Sequence, residues 1–136
     1  MRRLIFILVL ILVASLVACG GDSAPSSGEG EPAGGNADAG EALFAQSSIG
    51  TQAGCITCHS LEPGVALVGP SVANLGAEAG SRVSGLSAEE YVRQSIVEPN
   101  AHVVEGFGEG IMPGNYGDEL SEQQLEDLVA YLLSLQ

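Results

Sequence analysis

The sequence predicts a small all-α domain whose helices wrap around one covalently held group. Three observations carry that prediction. Two helix starts are complete, each a capping box set inside a hydrophobic staple: Ser87 with Glu90 between Leu86 and Tyr91, and Ser121 with Gln124 between Leu120 and Leu125. Behind the second, Leu125, Leu128, Val129 and Leu132 recur at i, i+3, i+4 and i+7, extended by Leu135, as the apolar stripe of a helix with one buried face. Upstream of both stands Cys55-Ile56-Thr57-Cys58-His59.

The chain opens with a segment built for export. Arg2 and Arg3 form a basic start, and Leu4 to Ala18 is apolar except for Ser15. A membrane-spanning helix needs about 20 apolar residues, so this shorter run predicts a signal peptide over 1–18. It ends in Leu16-Val17-Ala18-Cys19, which resembles the bacterial lipobox, where cleavage precedes the cysteine and that cysteine carries lipid. An uncleaved anchor with an incidental cysteine is the alternative. Either way the domain is expected outside the cytoplasm and tethered, at the extracytoplasmic (periplasmic) face of a bacterial cell membrane.

Residues 19–38 are then the lipidated Cys19 and a linker. Gly20 to Asp38 is rich in Gly, Ser, Ala and Pro, with Asp22, Glu29, Glu31 and Asp38 as its only charges, a composition that stays flexible. Its r.m.s. reach is roughly 25 Å, enough to hold a domain near membrane partners.

The domain occupies 39–136. Asp38 is the expected N-cap of a first helix over Ala39 to Gln46, with Glu41 in the turn where the helix dipole favours an acid. Gly40 and Phe44 share a face. Because glycine weakens a helix by up to about 1 kcal/mol, close approach of another helix is its expected reason.

The motif Cys55–His59 reads as a c-type haem attachment site. Two thiols add across the two haem vinyl groups, and the histidine offers a ring nitrogen to iron. A thioredoxin-like site would sit between a strand and a helix, whereas Gly50 to Gly54 reads as a loop. A structural zinc site would need a second Cys/His pair, which Cys19 and His102 do not form. A disulfide would leave His59 without a purpose, and the short pattern also arises by chance.

Gly64 to Gly85 is rich in Gly and Ala, with Gly69-Pro70 as a turn. The next helix spans Ser87 to about Val97, its buried side carrying Tyr91, Val92, Ser95 and Ile96, and it ends before Pro99. Residues 99–119 hold five glycines and two prolines, a long loop of the kind that usually serves function. Inside it is Gly110-Ile111-Met112-Pro113-Gly114. Once Met1 leaves with the signal, Met112 is the sole thioether, and its place in a Gly/Pro-rich loop well past His59 makes it the candidate second axial ligand. His102 is the rival. The last helix follows Ser121, with Tyr131 on the flank of its stripe.

Charge narrows the partners. Without Arg2 and Arg3, the mature chain sets 17 acids against Arg82 and Arg93, a net of −15 with no lysine. Four acids lie in the linker, which leaves 13 against two, or −11, in the domain. Such a surface repels nucleic acid and anionic lipid headgroups and favours redox proteins with basic docking patches; general solubility is the alternative reading of the same charge.

In this order the pieces over residues 39–136 resemble class I monohaem cytochromes c of the bacterial, lipoprotein type. Ser87 to Leu135 is similar to the cytochrome c domain of haem–copper oxidase subunit II. The resemblance implies a small class I cytochrome c fold with one covalent haem c. It implies that the first and last helices cross near Gly40 with Phe44 against Tyr131, that the Pro70 carbonyl holds His59, and that Met112 closes the sixth iron position. An arginine at the place of Arg82 is implied as a propionate partner. The expected function is a membrane-tethered one-electron carrier between respiratory or photosynthetic complexes, not an enzyme. The alternative is a non-catalytic cytochrome c subunit or module of an oxidase or quinol-oxidising complex.

Overall fold

The computed structural model describes residues 34–136. They belong to a compact unit over Glu31–Gln136, and the other unit, Met1–Gly30, lies outside the described residues together with the expected signal and Cys19. The described chain carries five α-helices: α1 (Ala37–Phe44), α2 (Leu75–Arg82), α3 (Ala88–Val97), α4 (Tyr116–Glu119) and α5 (Glu122–Ser134). A two-residue antiparallel pair, β1 (Ser48–Ile49) and β2 (Gln52–Ala53), pairs Ser48 with Ala53 and Ile49 with Gln52. A single 3₁₀ turn covers Cys55–Thr57. No helix among the described residues is long and apolar enough to cross a membrane.

The two capped helices start where the sequence sets them. Both capping boxes form, at Ser87/Glu90 and at Ser121/Gln124. The hydrogen bonds that Ser87 gives Glu90 hold its carboxyl below the usual carboxylate range. Glu98 ends α3 one residue before Pro99. Tyr91, Val92 and Ile96 are buried as expected, with Ser95 half-buried.

The first helix begins earlier than its composition suggested. Asn36, not Asp38, is the N-cap, its side chain accepting from the amides of Asp38 and Ala39. The Asn36 amide itself donates to Asp127 Oδ1 of α5 at 2.7 Å. The helix therefore starts at Ala37, within the stretch read as linker, because a partner 91 positions away fixes the cap.

The packing of α1 on α5 is the frame. A Cβ on Gly40 would lie 2.6 Å from the carbonyl carbon of Asp127 and 2.7 Å from Tyr131 Cβ, so a bare Cα is what lets the helices meet. Phe44 and Tyr131 pack there with ring centroids 5.5 Å apart and planes tilted by 54°. Tyr131 is buried rather than flanking. Leu125, Leu128, Val129 and Leu132 are buried along α5, and Leu135 caps its end half-buried.

Two links lay outside the sequence reading. The short α2, within the Gly/Ala-rich region, docks on the end of α5, where the Gly76 amide donates to the Leu135 carbonyl at 2.8 Å. On the opposite side Arg93 of α3 pairs with Glu122 at 2.9 Å and with Glu126, both on α5. Such surface pairs contribute about 0.2–1 kcal/mol each. The helices α1, α2, α3 and α5 thus pack on a shared core, and residues of the motif segment and of the loop 99–115 line one cleft beside it.

Candidate functional site

Spacing alone puts the two cysteines side by side. Cys58 N–H bonds the Cys55 carbonyl at 3.1 Å and His59 N–H bonds the same carbonyl at 2.9 Å, so the motif is one tight turn. Residues i and i+3 eclipse in such a turn, and both sulfurs face one cleft while His59 follows into it. The Thr57 hydroxyl donates to the Gly54 carbonyl at 2.6 Å and fixes the start of the turn.

The chain then folds back over the motif. Gly69 N–H bonds the Cys58 carbonyl and Val72 N–H bonds the Ser60 carbonyl, each at 2.9 Å. Between those two bonds sits Pro70, whose carbonyl lies 2.9 Å from His59 Nδ1. A carbonyl only accepts, so Nδ1 carries the proton and donates. Nε2 then keeps its lone pair, the arrangement of a metal-ligating histidine held by an outer partner. Gly69 makes this approach feasible: a Cβ there would sit 2.6 Å from His59 Cε1 and 2.9 Å from Nδ1.

Cys55, Cys58, His59, Pro70, Arg82 and Met112 all border this one cleft. The cleft is open to solvent, and its remaining wall is mostly apolar. Met112, half-buried, packs against the core beside it. His102 is also in the wall, edge-on to Tyr91 with centroids 5.8 Å apart. Arg82 borders both this cleft and a smaller groove it shares with Ser71 and Asn74, while pairing with Glu78.

The donors fit a haem better than a bare ion. Among the described residues no group of three or more His, Cys, Asp or Glu side chains converges, so an ion here would lack ligands that a macrocycle brings with it. Cys55 and Cys58 carry free thiols. Burial, the largest influence, pushes the Cys55 thiol up to about 11, so at neutral pH it keeps the proton that addition of a thiol to a vinyl group delivers to the second carbon.

Sequence reasoning passed over three contributors. Tyr116 borders the cleft and donates to the Ala53 carbonyl at 2.6 Å; a lone tyrosine in a glycine-rich loop gave no signal. Asp127, buried on α5, accepts from Asn36 and from Gln123 Nε2 at 2.9 Å. Gly69 was read only as half of a turn. A family model described as Cytochrome c matches residues 37–136. No curated protein matches the chain.

Proposed function

The chain belongs to the cytochrome c family as a class I member, and on that premise we propose how this haem-binding electron carrier holds its group and meets its partners. The covalent haem c supplies one-electron iron chemistry. Cys55 and Cys58 would hold the group through thioether bonds, each thiol supplying its sulfur to one vinyl carbon and its hydrogen to the other. His59 would offer Nε2 to the iron while Pro70 holds its ring. Met112 would offer its sulfur from the loop 99–115, a ligand pair that raises the potential. Arg82 offers its guanidinium to a propionate, and its pairing with Glu78 keeps it at the cleft.

The observation that carries this reading is the His59–Pro70 hydrogen bond, since it leaves a single ring nitrogen free beside two thiols in a cleft that Met112 also lines. With His59 and Met112 both given to the iron, no position would stay open for a substrate, which supports an electron carrier rather than an enzyme.

Electrons leave at the cleft mouth. Ala42 to Ala77 contains one charged residue, Glu62, in a chain that is otherwise dense in acid. Val68 and Ile111 border the cleft and are exposed; Ile56, Leu61, Val65 and Leu67, in the same stretch of chain as Val68, are exposed but do not line it. We place docking on this apolar rim, with the surrounding acids steering redox partners that carry basic patches. Lipid on Cys19 tethers the carrier to the outer face of a bacterial membrane.

The test is optical. Oxidised holoprotein should show the weak near-infrared band of sulfur-to-ferric ligation. Met112→Ala should abolish it and lower the potential, while His102→Ala leaves both unchanged. The reverse pattern assigns the sixth position to His102.

A further inference from the structure

The hairpin β1–β2 leads directly into Cys55, and α4 begins four residues after Met112. These two small elements are bonded to each other. Tyr116, the first residue of α4, is buried and donates its O–H to the Ala53 carbonyl at 2.6 Å. One turn on, Glu119 accepts from the Thr51 hydroxyl. Both bonds join stretches more than 60 positions apart in the sequence.

We propose that Tyr116 is a positioning residue for the sixth iron ligand, its hydrogen bond to Ala53 tying the root of the Met112 loop to the attachment turn. The inference rests on Met112 being that ligand. Along the chain Met112 and Cys55 are joined only through the α2 and α3 segments and a glycine-rich loop. Through Tyr116 the route is short: two residues from Cys55 back to Ala53, one hydrogen bond, and four residues from Tyr116 back to Met112. Because Cys55 would be bonded to the haem, this route would refer the thioether to the group it ligates. The loop 99–115 has its other root at the end of α3, beside Pro99. Without the Tyr116 bond that loop can open about one anchored end, and the sulfur leaves first.

The phenol suits this role for a physical reason. Its ring fills the cleft wall, while its hydroxyl meets a carbonyl that β2 leaves unpaired on that side. A phenylalanine would keep the packing and remove the bond, and loss of one part-buried hydrogen bond shifts an equilibrium by about fivefold. The Thr51–Glu119 bond is exposed and adds a weaker version of the same restraint.

The experiment uses ferric holoprotein and imidazole as the competing ligand, read by loss of the near-infrared sulfur–iron band, with the midpoint potential and urea stability measured alongside. Tyr116→Phe should raise apparent imidazole affinity about fivefold and lower the potential. Thr51→Val should move both less, in the same direction, which keeps the test available if Tyr116→Phe folds poorly. Asn36→Ala is the comparator: it removes a helix cap outside the cleft, lowers stability to a similar extent, and should leave imidazole affinity at the wild-type value. If Tyr116→Phe binds imidazole like the wild type, or gains only as much as Asn36→Ala, Tyr116 is merely part of the fold and the proposal is overturned. If the wild-type protein itself lacks the band, the Met112 assignment fails first and takes this inference with it.

Discussion

Replacing Gly40 with alanine tests the frame on which the cleft is hung. The added Cβ would lie 2.6 Å from the Asp127 carbonyl carbon and 2.7 Å from Tyr131 Cβ, whereas unstrained carbon contacts lie at about 3.5–4.0 Å. Backbone on one side and a helix-rooted Cβ on the other cannot swing away, so α1 and α5 must part by about 1 Å. Overpacking of this kind costs about 1–3 kcal/mol. Separation also loosens the Phe44–Tyr131 pair, worth about 0.5–1.5 kcal/mol beyond area, and the Asn36–Asp127 bond, worth about 1.5–3 kcal/mol for a charged acceptor. Alanine returns up to about 1 kcal/mol in helix propensity. The net expectation is a loss of about 3 kcal/mol, or roughly 12–20 °C in Tm for a domain near 100 residues. Gly80→Ala in α2 is the control, because its Cβ would meet only Ala88 atoms at 3.8–3.9 Å and should raise stability by about 0.4–1 kcal/mol. Thermal and urea unfolding of holoprotein, followed by far-ultraviolet circular dichroism and haem absorbance, measures both. A Gly40→Ala midpoint equal to the wild type would refute the helix-crossing argument.

Other outcomes follow from the same geometry. Cys55→Ala with Cys58→Ala should leave no haem on the chain after denaturing electrophoresis. It should also leave little fixed tertiary structure, since the apolar wall around Val103, Ile111 and Met112 would lose the group it packs against; near-ultraviolet circular dichroism reads this. Burial raises the phenols of Tyr131 and Tyr116 above their ordinary value of 10.0. A raised folded-state value means the stabilisation is whole below the unfolded value and lost as pH climbs through the folded one. Thermal midpoints should therefore hold up to about pH 9 and fall above about pH 10, less steeply in Tyr131→Phe. Electron transfer to a lysine-rich redox protein should slow as ionic strength rises, because steering of 10- to 10³-fold is screened over about 8 Å at physiological salt; a flat rate in stopped-flow would leave docking to the apolar rim alone. Cys19→Ser should move the protein from the membrane to the soluble fraction with an unchanged haem spectrum, and continued sedimentation with membranes would refute lipid tethering.

What the sequence determined by itself is everything that local chemistry encodes. Ser87 with Glu90 and Ser121 with Gln124 close their capping boxes within four residues, and the stripe from Leu125 to Leu132 buries by its period. Cys55, Cys58 and His59 line up because one turn of chain brings i and i+3 together. Met112 was singled out by elimination of every other thioether, and the structure places it on the cleft wall; Gly40 was legible by its cost in a helix without a nearby benefit. Tertiary structure decided the rest, at positions whose partners are distant. The cap of α1 passed from Asp38 to Asn36 because Asp127, 91 positions away, accepts the Asn36 amide. The helix α2 formed in a glycine-rich stretch because the end of α5 receives the Gly76 amide. Pro70 meets His59 only because two backbone bonds fold the intervening loop. Tyr116 gains its role from a carbonyl 63 positions earlier. Periodicity and capping act over a single turn and can be read along the chain, but a hydrogen bond or close contact across the domain exists only once packing has brought its two ends together.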